Sequence, residues 1–107
     1  MRGVWLTGHG GLDNLQYRDD IPVPEPGPGD VLIRVGAAGV NNTDINTRVG
    51  WYSKRHAPGQ SGVADDASWA GTALALPRIQ GIDVCGTIVG VGAGVDAARV
   101  GERVIVE

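Results

Sequence analysis

A chain of 107 residues is one domain's worth, able to bury roughly two thirds of its unfolded surface around a single core. Its 9 Lys plus Arg stand against 12 Asp plus Glu, and the basic residues are scattered, which excludes the electrostatic footprint of a nucleic-acid binder. No apolar run has the length of a membrane span or the shape of a signal segment, and a single cysteine, Cys85, rules out an internal disulfide; the expectation is a cytoplasmic protein with small-molecule or protein partners, no nucleic acid and no membrane.

Eighteen glycines and six prolines, without a long amphipathic period, favour short strands and turns. "RGVWLTG" (residues 2–8) and "LQYRDDIPVP" (15–24) are β-type runs separated by "HGGLDN", the pattern of a hairpin. "PEPGPGD" (24–30) is a rigid turn that launches "VLIRVGAAGV", a strand whose small residues predict a crowding neighbour and a bend or bulge near Gly36. "NNTDINTRVG" offers Asn42 or Thr43 as the N-cap of a short helix. Asp44 and Arg48 lie four apart on one face of it, and Gly50 would end it.

Residues 53–71, "SKRHAPGQSGVADDASWAG", are polar and aperiodic, the composition of a long mobile loop. Order resumes at "LPRIQG", where Pro77 suits an extended approach, and continues through "VCGTIVGVG" and "ERVIVE". Strands joined by short turns, one or two short helices and a central loop predict a mainly β fold: a small, partly open antiparallel barrel filling residues 1–107.

The stretch "GVGAGVDAARVGERVIVE" (90–107) imitates a dinucleotide-binding turn, because Gly92, Gly94 and Ala97 satisfy G-x-G-x-x-G/A and Glu107 follows the next apolar run. A parallel crossover needs about 10 to 12 residues, and only "VDAAR" is available before the "VGE" turn. The glycines therefore fit a tight turn between antiparallel strands. A cofactor would bind mainly elsewhere.

"GIDVCGTIVGVGAGV" (81–95) resembles the signature G-H-E-x-x-G-x-x-x-x-x-G-x-x-V of the medium-chain dehydrogenase/reductase superfamily. Gly81, Gly86, Gly92 and Val95 hold its spacing, with Asp83 in place of Glu. "VPEPGPGDVLIRVGAAGVNNTDINTRVGWY" is similar to that family's proline-rich turn, long strand and helix entry, and "VGERVIV" to its closing strand. The resemblance implies a GroES-like catalytic domain, one that packs in such enzymes against a C-terminal Rossmann domain holding NAD(P); this sequence stops before such a domain. It also implies where catalytic-zinc ligands would stand, and Asn41 and Ile82 occupy those positions. Neither an amide nor an alkyl group serves as such a ligand. "GVNNTD" with "RVGWY" resembles the zinc-independent NADPH:quinone oxidoreductases. The expectation is therefore NADPH and no zinc, a quinone or enone substrate, and a homo-oligomeric full-length enzyme. Two rivals are a zinc-type alcohol dehydrogenase relative that has lost its ligands and a non-enzymatic interaction module.

Each candidate residue carries two readings. Asn41 faces nicotinamide and substrate, or satisfies backbone groups at a strand end. Tyr52 lends its hydroxyl or ring to the acceptor, or covers the barrel rim. Asp44 and Arg48 form an intrahelical ion pair, or face substrate or cofactor together with Asn42 and Thr43. His9 and His56 are expected to be simply exposed, Cys85 to be an inert buried thiol, and Trp51 and Trp69 to pin the long loop or line an entrance.

Overall fold

A computed structural model of the chain describes residues 1–51 and 75–106. These fall into two compact units, one built from residues 21–40 and 81–107 with Met1, the other from residues 2–20 and 41–80. The expected loop over residues 53–71, with His56 and Trp69, lies outside the described residues, as does Tyr52.

In the second of these units β1 (Gly3–Leu6) and β2 (Leu15–Arg18) form the expected hairpin, with Gly3 opposite Arg18 and Leu6 opposite Leu15. A single 3-10 turn, Leu12–Asn14, shapes the connection. Leu6 is fully buried. Its N–H donates to the Arg78 carbonyl at 2.8 Å and its carbonyl accepts from the Arg78 N–H at 3.0 Å, so "LPRIQG" joins the hairpin through one bridge. At the far end Arg18 stacks 5.1 Å from the Trp5 ring centroid and grips Asp20 through Nε and Nη2, both at 2.8 Å. That hydrogen bond holds the Asp20 carboxyl below the ordinary carboxylate range and raises Arg18 further. Both groups are solvent-exposed, so the pair organises the strand end more than it stabilises the fold.

The other unit is a three-stranded antiparallel sheet in the order β3 (Val31–Ala38), β4 (Val84–Val91), β5 (Arg103–Val106). Along β4 the inward positions are Gly86, buried, and Ile88, 1% exposed, with the half-buried Val84 at the same parity. The bulge expected near Gly36 is present: Val35 pairs with Gly86 and Ala37 with Cys85, leaving Gly36 as the extra residue. A second register shift falls between Leu32 and Ile33, opposite Val89.

Two glycines of the signature stretch sit where backbones nearly touch. A Cβ on Gly86 would lie 2.3 Å from the Arg34 carbonyl oxygen, and one on Gly92 would lie 1.8 Å from that of Gly27. The "PEPGPGD" turn is held in the same place. Asp30 Oδ2 accepts from the Gly27 N–H at 3.1 Å, while the Gly29 N–H donates to Ala93 and the Gly92 N–H to Asp30, each at 2.8 Å.

Between β4 and β5 the chain makes one 3-10 turn, Ala97–Arg99, whose N-cap Asp96 accepts from the Ala98 N–H at 2.9 Å. Ile88 and Glu102 then begin the antiparallel return, with the Ile88 N–H donating to the Glu102 carbonyl at 2.9 Å. The glycine-rich stretch is thus the antiparallel turn its length required. The fold is mainly β, as expected, with one α-helix among the described residues and two open antiparallel sheets that are not closed into a single barrel.

Gly86→Ala should cost about 2 to 3 kcal/mol, because neither the Arg34 carbonyl nor its strand can retreat without breaking the ladder. Gly94 has φ +82° and open space around its Cβ position, so Gly94→Asn should stay within about 1 kcal/mol. Urea unfolding of the two variants checks this; equal costs would mean that close approach is not what Gly86 serves.

Candidate functional site

Five of the six sequence-derived candidates lie on or beside one helix, α1 (Asn42–Arg48). The chain enters it through Asn41, whose extended backbone (φ −125°, ψ 166°) marks it as the N-cap. The expected caps, Asn42 and Thr43, are instead the first helical residues. The reason is the N-x-x-D spacing of Asn41 and Asp44, which sets up a capping box one residue earlier: the Asn41 N–H donates to Asp44 Oδ2 at 2.8 Å, the Asn41 side chain accepts in return from the Asp44 N–H, and that N–H also lies 3.0 Å from the Asn41 backbone carbonyl. Thr43 contributes its carbonyl, which accepts from Thr47 Oγ1 at 2.7 Å, and Thr47 is buried.

At the other end the loop before β2 holds the helix. The Gly10 N–H donates to the Arg48 carbonyl at 2.8 Å, and Arg48 Nη1 donates back to the Gly10 carbonyl at 2.6 Å. His9 Nδ1 stands 3.1 Å from the Thr47 carbonyl, an acceptor, so that nitrogen carries the proton. His9 is exposed, as expected, but engaged. Gly50 ends the helix as foreseen, in a left-handed conformation (φ +74°) with its N–H on the Thr47 carbonyl at 3.2 Å. A side chain there would meet the His9 ring at 3.3 Å.

Asp44 and Arg48 therefore do not pair with each other, contrary to the ion-pair reading. The carboxylate serves the N-terminal amides and the guanidinium a carbonyl beyond the C-terminus, each at the helix end that suits its charge. The structure brings Asn41 and Asp44 together and places Arg48 at the opposite end, about 10 Å along the axis. Asn41 and Asn42 are exposed; Thr43, Asp44 and Arg48 are half-buried.

The expected inert thiol is also corrected in part. Cys85 is half-buried, and with Ala37, Gly39 and Ile105 it lines a groove of about 350 Å³ at one end of the three-stranded sheet. Arg78 Nε and Gln80 Oε1 are buried without a hydrogen-bond partner; such atoms cost free energy until a polar group meets them. Nothing in "LPRIQG" signalled them, because a lone polar residue beside a proline has no pattern.

Neither implied group fits the described residues. For a dinucleotide pyrophosphate, the turn should present unused amides at a helix N-terminus. Here the Gly92 N–H is spent on Asp30 and the Val95 N–H on Gly92, and only a 3-10 turn comes next. For a metal, no three His, Cys, Asp or Glu side chains converge among the described residues.

Residues 27–107 match the family described as the alcohol dehydrogenase GroES-like domain. The chain belongs to that family. Among its relatives, a rat synaptic vesicle membrane protein VAT-1 homolog is 38% identical over 99% of this chain and 22% of its own length. A rat quinone oxidoreductase is 36% identical over 97% of this chain and 26% of its own. A crystal structure of a Sinorhizobium meliloti 1021 protein classed among the alcohol dehydrogenases superposes with a TM-score of 0.80 at 50% identity, over 98% of this chain and 28% of the other. A mycobacterial structure complexed with NADPH gives 0.71 at 36% identity, over 98% and 27%. The chain thus spans about a quarter of the length of the proteins it resembles. No helix among the described residues is long and apolar enough to cross a membrane.

If Asp44 and Arg48 act separately, their effects should add. A double-mutant cycle of Asp44→Ala and Arg48→Met should show each costing about 1 kcal/mol, through the cap and the loop clamp respectively, with a coupling below about 0.5 kcal/mol. A larger coupling in urea unfolding would restore the ion pair.

Proposed function

We propose that the chain is the substrate-side domain of a zinc-independent oxidoreductase that reduces quinones or conjugated carbonyls by hydride transfer from NADPH. The cofactor would be held mainly by a Rossmann domain beyond these residues, in a cytoplasmic, homo-oligomeric enzyme. The observation that carries the reading is Asn41. It stands where the resemblance places a zinc-ligating cysteine, and it is fixed there as the N-cap of α1 by its bond to Asp44. The likeness to quinone oxidoreductases and to an NADPH-bound mycobacterial structure supports the same conclusion.

In this reading a reduced nicotinamide held by the cofactor domain would supply the hydride, and this chain's own residues would orient the acceptor. The Asn41 amide donates to the acceptor oxygen as negative charge gathers on it, and the Tyr52 hydroxyl or ring does the same or stacks on a planar substrate. Asn42 and Thr43, in the first turn of α1, face substrate or cofactor. Asp44 and Arg48 act through the helix, one holding each end, so they are positioning residues. A second reading, an alcohol dehydrogenase relative without its metal ligands, draws on the 50% identity to the Sinorhizobium protein. One tightly held zinc per chain by elemental analysis would favour the form of that reading in which the metal takes its ligands from elsewhere in the protein.

Because Asn41 also caps α1, Asn41→Ser is the informative variant: it keeps a good cap and removes the amide donor. In the full-length enzyme, Asn41→Ser and Tyr52→Phe should each lower kcat roughly tenfold to a hundredfold, about 1.4 to 2.7 kcal/mol of transition-state stabilisation, with KM and thermal stability nearly unchanged. Wild-type kcat in both variants would remove them from the site.

A further inference from the structure

The three-stranded sheet carries a feature that neither its packing nor the proposed reaction uses. Its register pairs Arg34 of β3 with Thr87 of β4, and Thr87 with Arg103 of β5. Residues directly opposite across antiparallel strands share a face, so two guanidinium-bearing side chains flank one hydroxyl. Their backbones lie two strand spacings apart, about 9.6 Å, a gap that two arginine side chains can close on a single anion. Both arginines are exposed. Neither guanidinium makes an ion pair or hydrogen bond with a described residue, whereas those of Arg18, Arg48 and Arg99 are engaged by Asp20, Gly10 and Glu102.

The chain has more acidic than basic residues, yet among the described residues no carboxylate occupies this row or the next. The next row on the same face is Ala37, Cys85 and Ile105. Asp83 shares the parity of Thr87, four residues and about 13 Å along the chain, and it lines the groove. A solitary solvated arginine would need no explanation. Two arginines around a threonine, beside a groove lined by apolar residues and Asp83, describe a ligand with two ends. The Ala37, Cys85 and Ile105 row lines the groove of about 350 Å³, within the range of small-molecule sites, and Ile105 is 78% exposed.

We infer that Arg34, Thr87 and Arg103, with the adjoining groove, bind a small amphipathic anion: a carboxylate or phosphate head on the arginine row and a short apolar body along Ala37, Cys85 and Ile105. The head takes charge-assisted hydrogen bonds from both guanidinium groups and one from the Thr87 hydroxyl. The volume of the groove and the charge of the row favour this occupant over an acidic protein segment. The site is independent of the redox reading, since it uses no residue assigned to it.

Calorimetry on the purified protein, without NADPH, tests the inference with four probes: octanoate, octyl phosphate, octanol and inorganic phosphate. Octanoate or octyl phosphate should bind saturably, with Kd about 1 mM or tighter, and the tighter of the two identifies the head group. Octanol and inorganic phosphate, each carrying half of the ligand, should bind at least about tenfold more weakly. Arg34→Gln/Arg103→Gln, at exposed positions, should weaken the anion about tenfold or more, and Ala37→Leu should weaken it by filling the groove, both with unchanged circular dichroism. Octanol binding as well as octanoate, or the double variant binding as well as wild type, would overturn the site. So would a glutamate-rich peptide that binds through Arg34 and Arg103 when octanoate does not, since the surface would then belong to a protein partner.

Discussion

The sheet of residues 21–40 and 81–107 depends on two places where main chains pass without room for a side chain. At Gly92 a Cβ would stand 1.8 Å from the Gly27 carbonyl oxygen, and at Gly86 2.3 Å from that of Arg34. The first contact docks the proline-rich turn on the end of β4 and lets Gly29 and Gly92 bond across it. The second brings β3 close enough for Ile33 to lie opposite Ile88, the most buried side chain of this unit. The glycines are thus consumed by packing. Their spacing imitates a phosphate loop because both structures need a backbone that can be approached closely. The next elements in the chain tell the two apart, here a 3-10 turn and an antiparallel strand.

The unit of residues 2–20 and 41–80 solves a different problem, how to fix a helix of seven residues. So short a segment does not persist by propensity. Its N-terminus is closed by Asn41 and Asp44 and its C-terminus by Gly10 and His9, with Arg48 bonding back to Gly10. The residue proposed to meet the substrate, Asn41, is therefore also part of the fastening. That dual use explains why the structural and chemical readings of Asn41 are complementary, and why a cap-preserving substitution separates them.

Locality decides how much of this could be read from the chain alone. The first hairpin, the bulge at Gly36, the end of α1 at Gly50 and the antiparallel turn after Gly92 are all written in short-range glycine and alternation patterns. The exact cap position is not legible from residue type, because Asn41, Asn42 and Thr43 are all competent caps and the deciding partner is Asp44. The Asp44–Arg48 pair failed because helical spacing says nothing of Gly10, 38 residues away, whose carbonyl competes for the guanidinium. The row of Arg34, Thr87 and Arg103 needs the register of two strand pairs, which the two shifts in β3 and β4 make unreadable in advance. The family was legible because its signature glycines are steric requirements, whereas Tyr52 lies outside the described residues and rests on the sequence alone.

The central claim is that the signature glycines build the sheet and leave no cradle for a dinucleotide. Titration calorimetry of this chain with NADPH tests it most directly. The account predicts no saturable heat at micromolar concentrations. Saturable micromolar binding that is lost on Gly94→Val, in a variant whose circular dichroism matches wild type, would contradict it.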